Sequence, residues 1–257
     1  MKIAVTGKGG VGKTTLAAIL SRIYAKEGFN VLAVDADPDA NLALALGFPQ
    51  KLRDEVIPIA EMKDLVAERT NSTPGSYGTM FKLNPKVDDL PERYCKAYKG
   101  VKLLAMGSAD TGGGGCLCPE NVLLNRLMSH LILQNQDVVI MDMEAGIEHL
   151  GRGTAESVDA FIVVVEPGIR SLQTYGQIKK LAGDIGVKKV FAVANKIKGD
   201  SDKEFVLSNI DSCLGFINYT DDVASSDRAD QSPYDTCAET VNEVMIIRNN
   251  MNQYTNE

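Results

Sequence analysis

The sequence has no tryptophan and only two histidines, His130 and His149. Histidines alone therefore cannot furnish a closed four-ligand metal site. No run of about 18 apolar residues occurs, so no membrane-spanning helix is expected. The N-terminal run Met1 to Gly7 reaches a glycine-rich stretch too soon for a secretory signal. There is no basic block, and the formal charge is −7. That balance argues against nonspecific nucleic-acid binding as the main task. Cysteine is scarce: Cys95, Cys116, Cys118, Cys213 and Cys237. An odd number in a chain of this size does not make a disulfide framework, and a reducing cytoplasm is the expected setting. No internal repeat or composition shift separates two domains, so residues 1–257 are expected to form a single domain.

What is present is a repeated strand and helix rhythm. Lys2 to Thr6 is a short β-branched run, Lys13 to Lys26 has apolar residues at helical spacing, and Val31 to Val34 is a second strand. These segments make one βαβ unit. Further strands are expected at Val101 to Met106, Val138 to Met141, Ala160 to Val165, Lys189 to Ala194 and, weakly, Leu214 to Ile217. Helices are expected at Glu120 to Leu133, Ser171 to Leu181 and Thr236 to Asn250. Continuous apolar strands alternating with helices indicate an α/β fold with a doubly wound, mostly parallel sheet and helices on both faces. Gly7, Asp35, Asp142, Glu166 and Asn195 each follow a strand and should line one edge of that sheet, where such folds bind ligands. Residues 50–100, rich in proline and charge, break the rhythm and read as an edge insertion, partly helical near Ile59 to Val66.

Gly7-Lys-Gly-Gly-Val-Gly-Lys13-Thr14 fits G-x-x-x-x-G-K-[ST] between a strand and a helix. That context is the one the phosphate-binding motif requires. Gly9, Gly10, Val11 and Gly12 would offer backbone N–H groups to phosphate oxygens, aided by the helix N-terminus. Lys13 would reach the β- and γ-phosphates, Thr14 would put its hydroxyl on Mg²⁺, and Thr15 completes the loop. Lys8 has no evident place in its own pocket, because Lys13 occupies it; it is either a solvated loop lysine or one aimed at a facing subunit. The amide of Asn195, followed by Lys196, suits a purine edge, with a turn asparagine as the alternative. Asn195-Lys-Ile-Lys198 lacks the aspartate of guanine readers, which favours ATP.

The run Gly7 to Thr15 resembles the deviant Walker A motif of the MinD/ParA/nitrogenase-iron-protein class. The resemblance implies an ATP hydrolase whose subunits close face to face over two nucleotides. It implies that Lys8 crosses to the partner's phosphates, that Asp37 orients the attacking water, and that Asn195 contacts adenine. It further implies that Asp35 and Asp142 serve the Mg²⁺ shell with Thr14, and that Gly146, Gly151 and Gly153 belong to a switch.

Four glycines lead into Cys116-Leu-Cys118, just before a helix. One C-x-C supplies two thiolates, and a closed site needs four. Two copies about a two-fold axis would supply them, for tetrahedral Zn²⁺ or square-planar Ni²⁺. The bland alternative is two incidental cysteines. The deviant motif, Gly115-Cys-Leu-Cys-Pro-Glu-Asn121 and Asp142-Met-Glu-Ala-Gly-Ile-Glu-His-Leu-Gly-Arg-Gly153 together resemble the CooC-type ATPases. That resemblance implies a homodimer holding nickel or zinc on Cys116 and Cys118, and a role in maturing carbon monoxide dehydrogenase or acetyl-CoA synthase. An iron–sulfur electron carrier is disfavoured because Asp142 to Gly153 holds no cysteine. A ParA/MinD-like positioning ATPase is disfavoured because residues 249–257 contain no lysine or arginine, so no basic amphipathic membrane anchor is expected there. His149 and Glu144 are expected to form hydrogen bonds, and Cys213 and Cys237 to sit in the core.

Overall fold

A computed structural model describes residues 1–72, 80–107, 118–133, 137–144, 158–187 and 189–255. Strands β1 (Lys2–Gly7), β2 (Val31–Ala36), β3 (Lys96–Tyr98), β4 (Val101–Ala105), β5 (Val138–Met143), β6 (Ala160–Val165), β7 (Val190–Ile197) and β8 (Cys213–Asn218) make one eight-stranded sheet. Their order is β3-β4-β2-β5-β1-β6-β7-β8. Only β3 runs antiparallel to its neighbour. The expected α/β architecture is thus the observed one.

Alternation along the strands sorts side chains between two faces. Ile3, Val5, Val31, Ala33, Ile140, Ile162 and Val164 enter one core, with Leu16 and Leu20 from α1 (Lys13–Lys26) and Val244 and Ile247 from α11 (Ala238–Thr255). Ala4, Leu32, Val34, Val139, Met141 and Phe161 enter the other, against Leu123, Leu127 and Leu131 of α6 (Pro119–Leu133). The same face continues under α7 (Ile169–Asp184) and α8 (Asp200–Leu207) around Val163, Val165, Ile178 and Val206. Each fully buried leucine or isoleucine contributes about 1.5–3 kcal/mol, so helices on both faces lock the strand ends in place.

Residues 50–100 hold α3 (Gln50–Arg53), a 3-10 turn (Ile59–Glu61), α4 (Lys63–Thr70), α5 (Leu90–Tyr94) and β3 at the sheet edge. Ile59, Leu65, Val66 and Leu90 are buried in the second core, and Arg69 grips both carboxylate oxygens of Asp89 at 2.8 and 2.7 Å. The expected C-terminal helix, Thr236 to Asn250, is α11, which starts two residues later and runs on to Thr255; a separate short helix, α10 (Pro233–Thr236), precedes it and ends before Cys237. Ser232 accepts from Tyr234 N and Pro233 opens α10, so a separate helix starts there. The short α2 (Leu42–Ala45), α8 and α9 (Asp221–Arg228) were not expected; with two turns or fewer, none of them repeats an apolar spacing often enough to stand out in the sequence. No helix among the described residues is long and apolar enough to cross a membrane.

Candidate nucleotide site and cysteine pair

The phosphate loop leaves β1 at Gly7, whose φ is +144°. A Cβ at Gly7 would stand 2.5 Å from the Val164 carbonyl oxygen, so β6 passes too close for any side chain. The loop ends at Gly12, φ +97°, directly before α1. Both positions require glycine. Val11 is buried and anchors the loop, while Lys8, Gly9 and Gly10 are exposed. The Lys8 carbonyl accepts from Val11 N at 3.4 Å, while its side chain makes no hydrogen bond or ion pair among the described residues and faces solvent. The first-turn amides of α1, at Lys13, Thr14 and Thr15, have no intrahelical acceptor and form an anion-binding end.

Lys13 is buried, and its Nζ lies 3.5 Å from Asp37 Oδ2. Asp35 and Asp142 are register partners on β2 and β5, so the sheet sets two carboxylates side by side. Both are about 1% exposed. Asp35 accepts from Leu42 N at 2.9 Å and more weakly from Asp37 N at 3.4 Å. Burial pushes its carboxyl up to about 7, with the Asp142 charge adding to the rise against those bonds. Burial likewise pushes Asp142 up to about 6, opposed by the Thr14 hydroxyl and the Lys13 charge. Thr14 comes near, yet neither Asp142 oxygen has a partner of hydrogen-bond geometry among the described residues. Two buried carboxylates, one with both oxygens orphaned, beside a threonine hydroxyl are a donor set that fits a hard divalent cation such as Mg²⁺. Thr6 Oγ1 donates to Glu144 O at 2.8 Å, tying the start of the phosphate loop to the end of β5.

A cavity of about 520 Å³ opens beside the loop, a size suited to a small-molecule ligand. Gly10, Gly12, Lys13, Thr14 and Thr15 line one wall, with Asn195 and Lys196 beside them. The polar atoms of the last two each have a partner within the protein. Asn195 Nδ2 donates to Val11 O at 2.8 Å, its Oδ1 accepts from Lys196 N at 2.7 Å, and Lys196 Nζ donates to Gly10 O at 2.8 Å. The opposite wall is Ile217, Asn218, Tyr219, Thr220 and Val223. These residues were missed in the sequence. The weak strand they close was seen, and the rule that ligands gather at strand carboxyl ends could have pointed to them.

Cys118 immediately precedes α6, and its Sγ accepts from Asn121 N at 3.4 Å. It is 9% exposed. Cys116, Gly146, His149, Gly151 and Gly153 lie outside the described residues. Among the described residues no three His, Cys, Asp or Glu side chains group to hold a metal. Cys237 is buried as expected, whereas Cys213 is only half-buried because β8 is the sheet's last strand. Cys95 is half-buried, and burial holds its thiol at about 11, which makes it unreactive.

Residues 2–233 match the profile of the CobQ/CobB/MinD/ParA nucleotide binding domain. The chain is also 48% identical over 237 residues to the carbon monoxide dehydrogenase accessory protein CooC of Rhodospirillum rubrum, covering 91% of this chain and 90% of that protein. The chain belongs to this family, in its CooC branch. Another member, an uncharacterised ATP-binding protein of Methanocaldococcus jannaschii, is 47% identical over 88% of each chain. The fold of this chain is similar to that of a chain in the MinC:MinD cell division protein complex of Aquifex aeolicus, with TM-score 0.67, 20% identity and coverage of 100% of this chain and 96% of that one.

Proposed function

We propose that this ATPase is a dimeric metallochaperone of the cytoplasm, residues 1–257 forming one P-loop domain, that carries nickel, with zinc as the competing ion, to carbon monoxide dehydrogenase or acetyl-CoA synthase. The observation that carries the reading is 48% identity across 91% of the chain to a carbon monoxide dehydrogenase accessory protein. The C-x-C placed directly before α6 supports it, because a helix N-terminus favours thiolate. Cys116 and Cys118 of two copies make the four-sulfur cargo site.

The geometry supports the following course of hydrolysis. ATP lays its phosphates on the loop and on the first-turn amides of α1. The γ-phosphate takes Lys13 from Asp37, its present partner at 3.5 Å. Asp37, released, orients the attacking water. Thr14 and Asp142 would hold Mg²⁺, with Asp35 behind them. When bound, Mg²⁺ neutralises charge on the β- and γ-phosphates. A second copy brings its exposed Lys8 across the interface, and a cation supplied in this way is worth about 10³–10⁵ in rate. Closure around ATP brings the cysteine pairs together, so ATP and cargo favour the same dimer and each must tighten the other.

Equilibrium nickel titration with sedimentation of the full chain tests this. One nickel per two chains is expected, tightened by ATP and lost in Cys116→Ser/Cys118→Ser. Wild-type nickel affinity in that double variant would refute the cargo site. Stoichiometric iron with a brown chromophore after anaerobic purification would replace the proposal with an electron carrier. A pull-down from nickel-replete anaerobic extract then names the client.

A further inference from the structure

The end of β7 acts on the phosphate loop itself. Asn195 and Lys196 are consecutive, and they donate to two consecutive loop carbonyls, Val11 O and Gly10 O, both at 2.8 Å. Lys196 N holds the Asn195 amide oxygen at 2.7 Å, so the amide cannot turn its donor away from the loop. A Cβ at Gly12 would stand 2.2 Å from Asn195 Nδ2, which shows how closely the amide is seated. Lys196 Nζ is also paired with Glu166 Oε1 at 2.5 Å, at the end of the neighbouring strand β6.

The backbone adds an independent sign. Lys196 has φ +60°, in the left-handed region that a long side chain enters at a cost. The pairing of β7 with β8 breaks register between Ala194 and Ile197. Strain of this kind persists only where the surroundings over-determine it, and it gathers at functional sites. A carbonyl and the following N–H point to opposite sides of one planar peptide. Holding Gly10 O and Val11 O on one side therefore fixes Val11 N–H and Gly12 N–H on the other.

We infer that Lys196, set by Glu166, is a positioning residue of the phosphate loop: it holds the Gly10–Val11 peptide in the phosphate-binding conformation before nucleotide arrives and does not read the base. The inference rests on the nucleotide reading of the same cavity and deepens it.

The test uses Lys196→Gly in the full chain, because glycine relieves the left-handed strain while removing the ammonium. Thermal stability should equal or exceed wild type. In the nucleotide-free protein, amide exchange of the peptide spanning residues 7–16 should quicken. ATP and ADP should bind about three- to tenfold more weakly, the range for one lost hydrogen bond. Adenosine, read as competition against a fluorescent ATP analogue, should compete as well as with wild type. Lys196→Arg should restore most of the ATP affinity, and Glu166→Gln should show a smaller loss of the same pattern. Unchanged loop exchange would overturn the inference, and so would a loss of adenosine affinity parallel to that of ATP. Wild-type protein that binds no ATP would sink the nucleotide reading instead, while loop exchange without nucleotide would still decide the role of Lys196.

Discussion

Replacing Asp142 with asparagine should stabilise the nucleotide-free protein and abolish its Mg²⁺-dependent chemistry. Asp142 is buried, both its oxygens lack a partner among the described residues, and its carboxyl is raised from 3.8 to about 6. Keeping it ionised above neutral pH costs about 3 kcal/mol. The sign follows from proton uptake. A carboxyl whose folded pKa lies above its unfolded one binds more protons in the native state between the two values. Stability therefore falls as pH rises through that window and levels off above about 6. Asparagine has no such loss. The advantage of Asp142→Asn over wild type should therefore grow by about 2 kcal/mol between about pH 4.5 and pH 8. Part of any excess comes from Asp35, whose own rise is helped by the Asp142 charge. Urea unfolding of metal-free, nucleotide-free protein at both pH values measures the gap, and comparing the two proteins at each pH cancels the titrations that do not couple to Asp142. ATP hydrolysis assayed with Mg²⁺ should be lost in the same variant. A gap that stays flat or narrows toward pH 8 would refute the argument that this carboxylate is held destabilised for a cation.

Asp37→Asn should lower kcat by about 10²-fold or more while binding ATP as well as wild type or better, because Lys13 then leaves no ion pair to meet the phosphates; steady-state kinetics separate the two effects. Gly12→Ala should cost about 1–2 kcal/mol for a left-handed side chain and push aside the Asn195 amide, so a lower melting temperature and lost ATP binding are expected together. Lys8→Ala should leave the exposed loop's stability within about 0.5 kcal/mol yet abolish hydrolysis, with ATP binding by titration unchanged; full turnover in this variant would remove Lys8 from catalysis.

The phosphate loop was legible in residue order because its signal is local. Glycines at Gly7, Gly10 and Gly12 take up backbone shapes that few other residues accept, and Lys13 and Thr14 follow at fixed spacing. The parallel sheet was legible too, since strands buried on both faces read as unbroken apolar runs such as Ala160 to Val165. Asp35 and Asp142 could be placed on one edge by their positions after strands. Their pairing could not, because Asp142 lies 107 positions after Asp35 and only the order of strands makes β2 and β5 neighbours. The same holds for the far wall of the cavity at Ile217 to Thr220, brought to the loop by a sheet edge with no motif of its own. Asn195 and Lys196 illustrate the division most clearly. Their residue types suited a purine, but which acceptor a side-chain amide or ammonium meets depends on what the fold places within reach. Here β7 ends against the loop, and the nearest acceptors are the carbonyls of Gly10 and Val11.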